Sequence, residues 1–332
     1  MDNALRAYEH AAQGQLVTVF LLSSNRETYI NLALESILRQ TYRDFQLVIL
    51  DNFSKDKTEE IVRGFRDNRI HFIQRCSPNE SPNYKYAFHI CKTKYLVVLH
   101  DDDIVEDTYL ETVLKTIEEN HFASVSVSAR IIDENGTLTG RTIKVSEDVV
   151  YERDMYLKNF LSTTPVSIVF PTAIYEKDYY GELENFFNIN AGPARDQYVW
   201  FQTERYGRLF CMLAEPLIRY RIHSNQDSAV NGGFMDLQLM DSLLSEPYYA
   251  EKIRKYQEYI RQRVWVVYRL LSRKYHMGLL EKDKFDSFFD YKCVGFIKNA
   301  FPGKLRYMTM SALHHCPWLT GAAIKLLLKL KK

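Results

Sequence analysis

The sequence predicts an α/β fold: a parallel sheet with helices on both faces, followed by a helical region. Short apolar runs alternate with segments of helical period from about residue 16 to about residue 129, the sequence signature of strand–helix repeats. The connections between these segments are short, which suits crossovers in a parallel sheet. From about Met240 the strand pattern stops and almost everything reads as helix. With 332 residues, 46% hydrophobic and 26% charged, the chain is long enough for one large domain plus an appendage, or two domains, of an ordinary soluble globular protein.

In chain order, residues 16–22 (LVTVFLL) form a short apolar run suited to a buried strand. Ser23, Ser24 and Asn25 then offer helix caps, and Tyr29, Leu32, Ala33, Ser36, Ile37 and Gln40 follow a helical period, with Ile30, Leu34 and Leu38 widening the apolar face. Residues 46–50 (QLVIL) are the next strand, ending at Asp51. A helix is expected over 57–66, a strand over 70–74 and a helix over 82–91. Residues 95–99 (YLVVL) are a buried strand that runs into Asp101, Asp102 and Asp103. Residues 107–120 are helical, and 123–129 (ASVSVSA) alternate like a strand. Asn135-Gly136 is a hairpin turn signal. Beyond it, 165–175 is apolar and strand-like, 196–206 a short helix, and 209–222 one or two strands. Residues 253–275 are long, basic and aromatic, and 317–332 (PWLTGAAIKLLLKLKK) are amphipathic and basic.

The formal net charge of +1 gives no global field favouring nucleic acid. The charge is unevenly spread, however: from Met240 to Lys332, 18 Lys and Arg stand against 8 Asp and Glu. The five cysteines (Cys76, Cys91, Cys211, Cys293 and Cys316) are scattered without metal-ligand or redox spacing, as expected for reduced thiols in a cytoplasmic protein. His314-His315-Cys316 reads as structural, because adjacent side chains on a helix diverge. The first 15 residues lack the apolar core of a signal peptide, and no apolar run reaches the ~18 residues of a membrane span.

Three consecutive aspartates at the end of a buried strand repel one another and make sense if something positive sits there. Capping of the following helix would account for one of them. A divalent cation accounts for the cluster, since Mg²⁺ takes one or two protein carboxylates and completes its shell with water and substrate phosphates. In open α/β sheets ligands bind outside the carboxyl ends of the strands, and two strands here end in aspartate, at Asp51 and Asp101.

Four stretches, in this order, are similar to motifs of one family: VTVFLLSSNRETYINLALESILRQTYRDFQLVILDNFSKDKT, LHDDDIVEDTYL, ARDQ and YRIHSNQDS. From about residue 16 to 228 the chain resembles the family 2 glycosyltransferases, inverting enzymes of the GT-A fold. The resemblance implies a GT-A domain over 1–231, with a nucleotide-binding half at about 16–128 and an acceptor half at about 129–231. A basic helical region would follow over 232–332. It implies that Ser23 and Asn25 lie in the loop facing the nucleotide, and that Asp51 and Asn52 contact the base. The family commonly has a second acidic residue where Asn52 stands, and uridine is the default base. Asp102 then holds Mg²⁺ or Mn²⁺, Asp101 approaches the ribose or phosphate, and His100 replaces the usual first Asp of the metal motif. Asp196 matches the general base that takes the proton from the acceptor hydroxyl. Arg221 is positioned to neutralise phosphate, and His223 matches a histidine that coordinates the metal or the diphosphate.

The implied partners are a nucleotide-sugar donor and a glycan or lipid-linked saccharide acceptor. The C-terminal helices could pack on the catalytic domain, contact the inner face of the cell membrane peripherally, or form a homodimer contact. A nucleotidyltransferase and a non-catalytic scaffold protein with a donor-like fold are the alternative readings.

Overall fold

The computed structural model describes residues 2–75, 83–162, 165, 168, 172–181, 197–223 and 227–299. It divides into two compact units. One comprises Met1–Tyr156, Val166–Phe187 and Val199–Ser224; the other comprises Leu157–Pro165, Asn188–Tyr198 and Asn225–Lys332.

The first unit is built on a ten-stranded mixed sheet. Its nucleus is four parallel strands, β1 (Val17–Ser23), β2 (Phe45–Asp51), β3 (Ile70–Gln74) and β4 (Tyr95–His100), in the order β3-β2-β1-β4. Because β1, β2 and β4 lie in the middle, they are apolar along nearly their whole length. The two faces still differ. Val17, Val19, Leu21, Leu47, Ile49, Val97 and Leu99 share a core with Ile30, Ala33, Leu34 and Ile37 of α2 (Ile30–Leu38), with Val62 of α3 (Thr58–Gly64), and with Tyr109, Leu110, Val113 and Ile117 of α5 (Tyr109–Asn120). On the opposite face Phe20 meets Tyr8 of α1 (Asp2–Ala11) edge-on at 6.1 Å, and α4 (Asn83–Ile90) lies against β1 and β4. Helix α1 is an element that the sequence reading does not anticipate. Its Tyr8 anchors it: the Tyr8 hydroxyl lies 3.1 Å from Thr18 Oγ1 and accepts a hydrogen bond from the Lys92 amide.

Beyond β4 the sheet departs from the expected all-parallel order. It continues through β5 (Ile104–Val105), β6 (Ser124–Ile132), β7 (Leu138–Ile143), β8 (Val149–Tyr151), β9 (Ala173–Glu176) and β10 (Phe210–Arg221). Strand β9 inserts antiparallel between β4 and β6, and β10 follows parallel to β6. Among the described residues of the apolar stretch at 165–175, Ala173–Tyr175 form the strand, within β9. The stretch at 209–222 forms a single strand with register shifts around Pro216, whose missing amide hydrogen interrupts a ladder. Asn135-Gly136 makes the expected hairpin between β6 and β7, with Gly136 at φ 86°.

Of the short helices α6 (Met155–Leu161), α7 (Lys177–Gly181) and α8 (Tyr198–Arg205), α7 and most of α8 belong to this half, and α6 falls mostly within the residues of the second unit. Trp200 lies 5.7 Å from the Tyr175 ring and 5.1 Å from Phe210, and Phe210 stacks on Tyr151 at 4.7 Å. Each large aromatic buried in this way brings a large apolar area and a preferred ring geometry.

The second unit is helical, with α9 (Asp227–Ser245), α10 (Pro247–Lys255), α11 (Gln257–His276), α12 (Lys282–Asp286) and α13 (Lys292–Asn299). Leu237, Met240, Leu243, Ile253, Ile260, Val264, Val267 and Leu271 are buried in its core. A Cβ on Gly233 would meet Leu271 Cδ2 at 3.1 Å, so the absence of a side chain there lets α9 and α11 approach. Asp241 accepts the Lys292 and Cys293 amides at 2.8 and 2.7 Å, capping α13. No described helix is long and apolar enough to cross a membrane.

Candidate active site

The parallel register sets Ser23 beside Asp51 and Leu22 beside His100. Three loops therefore leave the sheet at one edge. Ser23 ends β1, and α2 starts only at Ile30, with Tyr29 at its N-cap and no side-chain cap. The caps expected of Ser23, Ser24 and Asn25 are thus not used, because these residues turn toward the next loop instead. Asn25 adopts φ 53°. Its amide donates to Ser54 Oγ at 2.7 Å, and its Oδ1 accepts the Lys55 amide at 2.9 Å. The Asn52 amide donates to Ser23 O at 2.7 Å. Asp51 is fully buried; it accepts the Ser54 amide and hydroxyl and Gln74 Nε2. A buried carboxylate so supplied is held rigidly at the loop's base.

The turn after β4 carries the charge. Asp101, Asp102 and Asp103 are only 4%, 6% and 3% exposed. Asp101 accepts the Ser24 amide at 3.2 Å and faces Arg26 Nε at 3.5 Å. Burial, reinforced by the Asp102 charge, pushes its pKa up to about 7 against the help of Ser23, Arg26 and the Ser24 amide. The same two causes hold Asp103 well above the ordinary carboxylate range. Asp103 Oδ1 accepts the Arg221 amide at 2.9 Å, whereas its Oδ2 is buried without a partner among the described residues. His100 is pushed down by burial.

The far end of β10 closes this turn. His223 Nε2 lies 3.1 Å from Asp102 Oδ2, and its ring is 5.7 Å from that of Tyr29. Arg221 is buried. Its Nε donates to Asp102 O at 2.7 Å and its Nη1 to Asp133 O and Glu134 O, both at 3.1 Å, with the guanidinium 4.5 Å over the Tyr29 ring. Two of its nitrogens are therefore directed at backbone carbonyls of the protein itself.

One ligand atom each from His100, Asp102 and Asp103 can lie within 4.8 Å of the others. A cluster of oxygen donors with one imidazole suits Mg²⁺ or Mn²⁺. The buried, unpartnered Asp103 oxygen is what a cation would satisfy. The residues fit a divalent ion.

Of the residues singled out from the sequence, Ser23, Asp51, His100, Asp101, Asp102, Arg221 and His223 gather at this sheet edge, with Asn25 and Asn52 in its loops. Asp196 and its neighbour Arg195 lie outside the described residues. Three participants are additional: Asp103, Arg26 and Tyr29. Asp103 was visible as the third member of the triplet. Arg26 and Tyr29 carry no local signal, because only the fold of their loop brings them to Asp101 and His223.

Known glycosyltransferases are similar to this chain. An uncharacterized glycosyltransferase of Haemophilus influenzae is 25% identical over 305 residues, covering 80% of this chain and 93% of its own. The O-antigen biosynthesis glycosyltransferase WbnJ of Escherichia coli is 24% identical over 222 residues, covering 65% and 84%. Among solved structures, S. aureus TarS 1–349 in complex with UDP-GlcNAc superposes with a TM-score of 0.55 at 14% identity, over 91% of this chain and 81% of that one; at this identity the likeness is one of fold. The family model of glycosyl transferase family 2 matches residues 18–183, the span in which β1, β2, β4 and the acidic turn lie, and the chain belongs to that family of glycosyltransferases.

Proposed function

We propose that the protein is a metal-dependent inverting glycosyltransferase. It moves a sugar from a nucleoside-diphosphate donor, a UDP-sugar by preference, to a hydroxyl of a glycan or lipid-linked saccharide. The observation that carries this reading is the convergence of His100, Asp102 and Asp103 at the sheet edge where the loops of Ser23 and Asp51 also emerge. The UDP-GlcNAc bound by TarS and the O-antigen role in the name of WbnJ support the donor and acceptor classes.

Mg²⁺ or Mn²⁺, held by Asp102 with His100 and Asp103 and with His223 beside Asp102, would neutralise charge on the leaving diphosphate. Asp51 and Asn52 bind the base, Asn52 both donating and accepting; Ser23 and Asn25 shape the loop over the nucleotide, and Asp101 approaches the ribose. Asp196 takes the proton from the attacking hydroxyl and must reach it within hydrogen-bond distance. One direct displacement inverts the anomeric centre, so no enzyme nucleophile is required, and the transition state has oxocarbenium character as in glycoside hydrolysis. Residues 1–231 form the catalytic domain in this reading, with acceptor contacts in 129–231.

The region from 232 onward is proposed to touch an anionic membrane surface. Supporting this, Leu270 on α11 and Met277 just past its end are exposed beside Arg269, Arg273 and Lys274, and Tyr259 is exposed earlier on the same helix, a pairing of apolar and cationic groups that suits a headgroup layer.

Calorimetric binding of a panel of nucleoside diphosphates and nucleotide sugars, with and without Mn²⁺, tests the core of the proposal. Metal-dependent binding of one nucleotide, lost in Asp102→Ala, is expected. Absence of binding by well-folded protein in the presence of metal would favour the scaffold alternative. Release of pyrophosphate in place of free nucleoside diphosphate would favour the nucleotidyltransferase.

A further inference from the structure

The Arg221 side chain was expected at phosphate, yet its geometry points elsewhere. We propose that Arg221 is a positioning residue that locks the acidic turn 101–103 to the β6–β7 hairpin, so that the hairpin sets the geometry in which the carboxylates receive a cation. The inference rests on the metal-dependent reading above.

Three parts of the chain meet at this one residue. Its amide holds the Asp103 carboxylate, and its Nε holds the Asp102 carbonyl. Its Nη1 reaches the carbonyls of Asp133 and Glu134 in the hairpin turn. Its guanidinium lies over Tyr29, whose ring in turn neighbours His223. The hairpin end of this brace is itself organised: Asp133 Oδ1 accepts the Asn135 and Thr137 amides at 2.9 and 2.8 Å, which aims the turn's carbonyls. At Gly136 a Cβ would sit 3.5 Å from Arg221 Nη1, so the guanidinium packs directly against the turn. A planar fork with fixed donor directions can bridge the two turns at once; a lysine ammonium on a flexible stem cannot reproduce that. Residues that orient metal-holding groups typically change metal affinity by about 10- to 100-fold when replaced.

The test is Mn²⁺ binding to the full chain by calorimetry, well below the melting temperature, for Arg221→Lys, Asp133→Ala and the double variant. Asp133 is not one of the candidate metal-holding carboxylates and serves as the probe at the hairpin end of the brace. Each single variant is expected to weaken Mn²⁺ binding roughly 10-fold. The double variant should be no weaker than Arg221→Lys alone, because both break one brace. Asp133→Asn, which keeps the turn acceptor, should restore wild-type affinity. A merely structural Arg221 would lower melting temperatures and leave Mn²⁺ affinity of the folded protein unchanged; that result, or losses that simply add, overturns the proposal. If Asp133→Ala does not fold, Gly136→Ala replaces it, with the same expected weakening and the same overturning result. Should wild type bind Mn²⁺ and Asp102→Ala not, while the brace variants bind as wild type does, the positioning role falls and the metal site stands. If wild type binds no Mn²⁺, both fall together.

Discussion

Burial of the acidic turn, only partly offset by Arg26 and Arg221, is the dominant fact at the residue scale. Burial raises Asp101 to about 7 from an ordinary 3.8 and lowers His100 from an ordinary 6.5. The signs work as follows. A carboxyl raised in the fold contributes stability that is present below its unfolded value near 4 and is lost as pH rises through about 7. An imidazole depressed in the fold contributes stability that is lost as pH falls below 6.5. Asp103, held well above the ordinary carboxylate range by the same causes, and His100 reach the ligand-competent state, carboxylate and neutral imidazole, only as pH rises. The increase in melting temperature caused by Mn²⁺ should therefore grow from pH 6 to pH 8 in thermal unfolding scans; an increase independent of pH would contradict this. At Asp196, replacement by Asn should abolish transfer while sparing donor binding, measured by product analysis and calorimetry side by side. An unchanged rate would remove Asp196 as the base.

Elements here are held less by their own propensities than by single residues that reach between them. Gln40, fully buried just past the end of α2, donates to the Ser36 and Glu106 carbonyls and accepts the Leu110 amide of α5 at 2.8 Å. Gln40→Leu would leave these groups unpartnered, at a cost of roughly 2–3 kcal/mol, readable by urea denaturation with the slope unchanged. Helix α5 ends at His121 in the left-handed region, φ 54°, a conformation costing an L-residue about 1–2 kcal/mol. His121 is exposed, so His121→Gly should stabilise the protein by roughly 0.5–1 kcal/mol after the glycine's own entropy is counted. A lower urea midpoint would mean that the histidine side chain does something the backbone does not reveal.

For the whole molecule, the two compact units differ in chemistry. The described candidate-site residues, including all of the acidic turn, fall in the sheet unit, and the excess of Lys and Arg falls in the region from Met240 onward. If that region attaches the enzyme to anionic lipid, full-length protein should pellet with phosphatidylserine vesicles and lose binding as salt rises. A chain ending at Cys316, lacking residues 317–332, should pellet less. Identical pelleting of the two would exclude residues 317–332 as an anchor; those residues lie outside the described structure.

The sequence by itself determined the sheet's parallel nucleus, the aspartates at the ends of its strands and the family. Buried strands must be apolar along their length, and a run such as YLVVLHDDD announces where a strand stops and a charge begins. It also determined that the described residues from 240 to 299 are largely helical. What it left open is non-local. Nothing in residues 173–176 says that they insert antiparallel between β4 and β6, because a four-residue apolar strand pairs equally well in either direction until its neighbours exist. Arg221 carries a charge that suits phosphate in isolation, and only the tertiary structure directs its Nε and Nη1 to carbonyls more than eighty residues away in sequence. Tyr29 and Arg26 became candidate site residues for the same reason: the fold of their loop, not a motif within it, brings them to His223 and Asp101.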